Sequence, residues 1–182
     1  MNRLFLLAAF LLLASNAASA QSGHSYAGLE RRSIKALSQQ QVDDLRAGRG
    51  MGLALAAELN GYPGPSHVLE FGDRLDLTRD QRVEVQRLFD AMKQETVPLG
   101  SKLVDQERAL EDLFSSRAVT SESLKTSIAA IAETQGKLRE SHLKYHLSTA
   151  ALLAPGQMQR YAELRGYQNQ SADTPAGHKH HH

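Results

Sequence analysis

The stretch RDQRVEVQRLFDAMKQETVPLGSKLVDQERALEDLF, residues 79–114, decides the fold. Its large apolar residues Val85, Leu88, Phe89, Met92, Leu99, Leu103, Leu110 and Phe114 recur at steps of three, four or seven. Steps of that size return to one face of an α-helix, so the stretch predicts a single long amphipathic helix. Pro98 removes one backbone hydrogen bond, yet the apolar stripe continues in phase beyond it. A kink rather than a helix end is expected there.

Working outward, SSRAVTSES (residues 115–123) reads as a turn, and a second long helix is expected over residues 121–153. A short helix follows over residues 157–167. On the N-terminal side, residues 29–60 have a helical pattern weakened in the middle by Gly48, Gly50 and Gly52. GYPGP (residues 61–65) breaks the chain, and a short helix over residues 66–75 comes next. No segment alternates apolar and polar residues long enough to be a strand. The fold class is therefore all-α: a long antiparallel helical hairpin with shorter flanking helices. Each hairpin arm spans about 50 Å at about 1.5 Å per residue. A turn near residues 117–118 places residue x of one arm opposite about residue 235 − x of the other. So long a hairpin leaves apolar surface uncovered unless other helices or a second subunit pack on it, and a homodimer is expected.

The chain ends read differently from its body. Arg3, an apolar run over residues 4–14 and Ala18-Ser19-Ala20 have the layout of a secretory signal peptide cleaved after Ala20. The run is too short to span a membrane, which takes about 20 apolar residues. Residues 21–35 read as a flexible N-terminal segment, residues 36–167 as the helical domain, and residues 168–182 as a disordered His-rich tail. The whole chain carries 21 Lys+Arg against 20 Asp+Glu, without the basic surplus of a nucleic-acid-binding surface. It has no cysteine, which excludes disulfides and thiolate metal sites. An exported, cysteine-free chain of this kind suits the periplasm.

One small motif recurs at helix starts: LSQQQ (residues 37–41), LTRDQ (77–81) and LAPGQ (153–157). In the first two, a hydroxyl residue is followed three positions later by glutamine, which is a capping box. Thr78 and Gln81 form the second copy. In the third, Gln157 is kept while Ala154 replaces the hydroxyl residue, and Pro155 suits the first helical position. An exported helical chain with LTRDQ before one long helix and LAPGQ before the last resembles the Spy/CpxP superfamily, which is marked by paired LTxxQ motifs. The resemblance covers roughly residues 36–167 and is nearest the periplasmic heavy-metal sensor and metal-resistance branch. It implies an all-helical, cradle-like dimer. It also implies either an ATP-independent chaperone or a protein that binds a divalent metal through His, Glu and sometimes Met.

The candidate metal ligands centre on SHLKYHLST (residues 141–149), where His142 and His146 lie four apart. At about 100° per residue both continue the apolar stripe set by Leu124, Ile128, Ile131 and Leu138. A neutral imidazole on a dry stripe needs partners for its ring nitrogens. A Zn, Ni, Co or Cu ion shared by the pair would satisfy one nitrogen of each, although water or a carboxylate near an open helix end would also serve. The hairpin register sets His142 near residue 93 and His146 near residue 89, with Met92 on the facing stripe as a possible soft ligand. In HVLE, His67 and Glu70 share one face three residues apart and fold back toward the same region. Sensor-type relatives have an early histidine pair, a Glu and a late His-x3-His or His-x3-Met. The resemblance thus matches His142 and His146 to the late element and His67 with Glu70 to part of the early one. His178, His180, His181 and His182 in the tail are further candidate metal ligands, or a tag.

No nucleophile elbow, HExxH or phosphate-binding loop is present, so an enzyme is not expected. The expected role is periplasmic metal binding in sensing or resistance, with signalling through a separate membrane-bound partner. The alternative is a chaperone for unfolded client proteins, which the basic residues Arg31, Arg32, Lys35, Arg46 and Arg49 would assist.

Overall fold

The computed structural model describes residues 26–167, and among them there are six α-helices and no strand. They are α1 (Gln39–Arg46), α2 (Leu55–Glu58), α3 (Pro65–Glu70), α4 (Arg79–Ser115), α5 (Ser121–Leu152) and α6 (Pro155–Arg165), preceded by a 3-10 turn at Leu29–Arg31. The expected signal peptide and the His-rich tail lie outside the described residues.

Helices α4 and α5 form the expected antiparallel hairpin, and α4 runs without interruption through Pro98. The side-chain ladder between the arms fixes the register. The Gln106 amide donates to the Ala130 carbonyl, and Ser141 and Tyr145 donate their hydroxyls to Glu95. These pairings follow the 235 − x rule to within a few residues. α1, α2 and α3 pack on the hairpin from one side, α1 against α4, α2 against α5, and α3 against both arms.

The N-terminal half departs from a continuous helix over residues 29–60. Gly48 (φ 59°), Met51 (φ 42°) and Gly52 (φ 82°) adopt left-handed backbone, which ends α1 and opens a loop before α2. The short helix also stops earlier than residue 75, at Glu70, and a turn to Asp76 (φ 49°) leads into α4. α1 can lie close to α4 because position 100 has no side chain: a Cβ built on Gly100 would sit 1.9 Å from the Leu45 carbonyl oxygen.

The helix starts behave as their sequence indicates. Ser38 with Gln41 and Thr78 with Gln81 make full capping boxes. Ala154 cannot accept a bond, so only the return half forms there, from the Ala154 N–H to the Gln157 amide oxygen at 2.9 Å. The two glutamines then do more than cap. Gln81 and Gln157 exchange amide hydrogen bonds at 2.9 and 3.0 Å, while Gln81 donates to the Leu152 carbonyl and Gln157 to the Leu75 carbonyl. The paired motifs thus tie the start of α4 to the start of α6.

Burial follows where the short helices reach. Val42, Leu45, Leu103, Val104, Ile131 and Leu138 make the central core. Val68, Leu75, Val85, Leu153 and Tyr161 make a second core at the open end of the hairpin. At the turn end Phe114, Leu124 and Ile128 are exposed among the described residues, despite their helical phase. His142 and His146, by contrast, are buried at 3% and 9% exposure.

Candidate metal centre

The buried histidines of α5 line an open cavity of about 400 Å³, bordered by α2, α3, the middle of the hairpin and the loop of residues 48–52. Helix α5 places His142 and His146 one turn apart on its inward face. The register then brings Phe89, Met92 and Lys93 of α4 to the opposite wall, where the 235 − x rule puts them. α3 supplies His67, and α2 supplies Glu58.

The 61–65 breaker sets the third wall. Pro63 and Pro65 are fully buried, and Pro65 occupies the first turn of α3, where its missing N–H leaves no helical bond unmade. This rigid corner aims the Tyr62 carbonyl at the Nδ1 atom of His146, 2.7 Å away. A carbonyl only accepts, so Nδ1 carries a proton. The Nε2 edge of the ring lies against Gly64. A Cβ at position 64 would stand 2.7 Å from Nε2 and 2.8 Å from Cε1, so the close approach of this backbone to the ring requires glycine. His142 has a different environment: its Nε2 is buried and has no hydrogen-bond partner, and its Nδ1 side faces Gly50.

Electrostatics favour the uncharged form of His142 and His67. Burial pushes the His142 pKa down to about 4, helped by His146 and the Lys93 ammonium. Burial and then Arg165 lower that of His67, against the opposing pull of Glu58 and Glu70. An uncharged imidazole offers a lone pair, which is the form that binds a metal. Lys93 is held in place by donating to the Ala47 carbonyl.

Glu58 is the residue that the sequence reading passed over. It is buried at 5% exposure and accepts hydroxyl hydrogen bonds from Tyr161 and Tyr167 on one carboxylate oxygen. Arg165 lies 3.2 Å from that same oxygen, and the Gly64 N–H donates to the other at 3.3 Å. The Nδ1 atoms of His67 and His146 stand 3.8 and 3.7 Å from the carboxylate. Burial and the neighbouring carboxylate raise the pKa of Tyr161, which keeps its hydroxyl a donor. One signal was readable: Tyr161 and Arg165 lie four apart and share a face of α6.

Of the candidates read from the sequence, His67, His142, His146 and Met92 share this cavity. Glu70 is exposed and does not line it; Glu58 is the carboxylate on its wall. Thr78, Gln81 and Gln157 serve the helix starts instead. The four tail histidines lie outside the described residues. Among the described residues, no three His, Asp or Glu side chains already converge on one point. No described helix is long and apolar enough to cross a membrane. Compared with family models, curated proteins and solved structures, the chain gives no match.

Proposed function

We propose that this chain is an exported, periplasmic metal-binding protein of the Spy/CpxP type, acting in metal sensing or resistance as a cradle-like homodimer. One observation carries the reading. Two buried imidazoles one helical turn apart line a cavity shared with His67 and Met92, and the Nε2 of His142 has no partner. A buried polar atom without a partner costs on the order of 1–3 kcal/mol, which a coordinated ion would recover. Side-chain rotation within the cavity completes the coordination on binding.

Titration calorimetry with Zn, Ni, Co and Cu tests this, using the chain from Gln21 with His178, His180, His181 and His182 changed to Ala. Stoichiometric binding that disappears in His142→Ala/His146→Ala is expected. Binding that is absent, or unchanged in that variant, overturns it. Any signal would pass to a membrane-bound partner.

A second reading, an ATP-independent chaperone, draws on a different observation. Leu55, Leu59 and Tyr62 are exposed together along α2 and the corner after it. Such a patch suits brief contact with unfolded clients. Suppression of client aggregation without metal, lost in Leu55→Ser/Leu59→Ser, would favour it.

A further inference from the structure

The cavity's free donors are imidazoles and thioethers, and the thioethers are soft. Alongside the imidazoles stand the thioethers of Met92, in the wall, and Met51, on the rim. The one carboxylate, Glu58, is already taken up by Tyr161, Tyr167, Arg165 and the Gly64 amide. Two cations, Lys93 and Arg165, border the same space, and a third, Arg49, is paired with Asp44. A divalent ion would therefore bring two charges beside Lys93 with no free anion to meet them. A monovalent ion brings half of that. Thioether and imidazole donors without thiolate or carboxylate suit monovalent copper.

Met51 adds an independent observation. It holds φ at 42°, a left-handed conformation that side-chain-bearing residues rarely adopt, and it does so between Gly50 and Gly52. Strained positions of this kind cluster at ligand clamps. Here the strained residue is an unbranched methionine, 42% exposed, at the mouth of a cavity lined by histidines.

We propose that the ion held in the cavity is monovalent copper, with Met51 closing over it from the rim and Met92, His142 and His146 as the inner donors. The assignment rests on the metal-binding reading above. It is tested anaerobically with Cu(I) against a chromophoric Cu(I) chelator, on the chain from Gln21 with its four tail histidines changed to Ala. Zn(II) is titrated in parallel. Met51→Leu and Met92→Leu should each weaken Cu(I) binding about tenfold or more and move Zn(II) binding less than about twofold. Met51 is exposed and Met92→Leu conserves volume, so both variants keep the fold, which circular dichroism checks. A copper–sulfur shell in X-ray absorption, lost in the double variant, is the second readout. Cu(I) binding unchanged in both variants, or Zn(II) bound more tightly than Cu(I), overturns the copper assignment while leaving metal binding in place. Failure to bind either ion overturns the copper assignment, and failure to bind Ni and Co as well removes the metal-binding reading itself.

Discussion

Glu58→Gln tests whether one buried carboxylate joins the histidine cavity to the last helix. The change keeps shape and removes charge. One carboxylate oxygen receives Tyr161, Tyr167 and Arg165, and the other receives the Gly64 N–H near the protonated Nδ1 of His146. Arg165, beside one oxygen, and the Gly64 N–H, beside the other, can only donate, whereas the tyrosine hydroxyls can also accept. The amide NH2 of Gln must therefore meet donors whichever way it turns. Breaking a buried ion pair by removing one partner costs about 3–5 kcal/mol. The Arg165 side chain keeps 28% exposure, so water recovers part of that, and about 2–4 kcal/mol is expected here. For a domain of this size that corresponds to a fall in Tm of roughly 5–15 °C. Urea unfolding measures the loss, and hydrogen exchange locates it, with the amides of α6 (Pro155–Arg165) released before those of the hairpin. A loss below about 1 kcal/mol, with α6 exchange unchanged, would refute the idea that Glu58 pins that helix.

Acid should weaken the fold through His142. Its pKa is about 4 in the folded chain against an ordinary 6.5, so between those values the unfolded chain holds more protons and stability falls as pH falls. The contribution, about 3 kcal/mol in full, is present above pH 6.5 and gone by about pH 4. Urea midpoints across that window should flatten in His142→Gln, and an unaltered slope would count against the assignment. Gly100→Ala places a methyl group 1.9 Å from the Leu45 carbonyl oxygen, which no rotamer change relieves. α1 must lift off α4 at a cost of about 1–3 kcal/mol or more, seen as faster exchange at Val42 and Leu45. Gly64→Ala presses a methyl group onto the His146 ring, 2.7 Å from Nε2 and 2.8 Å from Cε1, and forces the ring to shift. Metal affinity should fall about tenfold or more in calorimetry, and an unchanged affinity would place the ion elsewhere.

The hairpin was legible because its information is local and periodic. Three- and four-residue spacing of apolar residues, a capping box at the start of the first arm and a short polar turn are enough to set two helices antiparallel. From that register alone, residues 89, 92 and 93 fall opposite the two histidines. The cavity opposite them was less legible because it is built by loops. Gly48, Met51 and Gly52 break residues 29–60 in a way that helical periodicity does not report, since a left-handed backbone changes direction without changing hydropathy. Glu58 is hidden for a related reason. A lone glutamate between two alanines and a leucine reads as a solvated helix residue, and only the return of α6 supplies the two hydroxyls and the guanidinium that make its burial tolerable. Glu70 shows the converse, where the right spacing from His67 leaves a carboxylate in water. Spacing along one helix ranks ligands that a single element can present. A cavity that takes donors from α2, α3, α4 and α5 is decided by the corners between them. Here those corners are the 48–52 loop and the 61–65 breaker, and Gly64 in the second lies so close to the His146 ring that any side chain would collide with it.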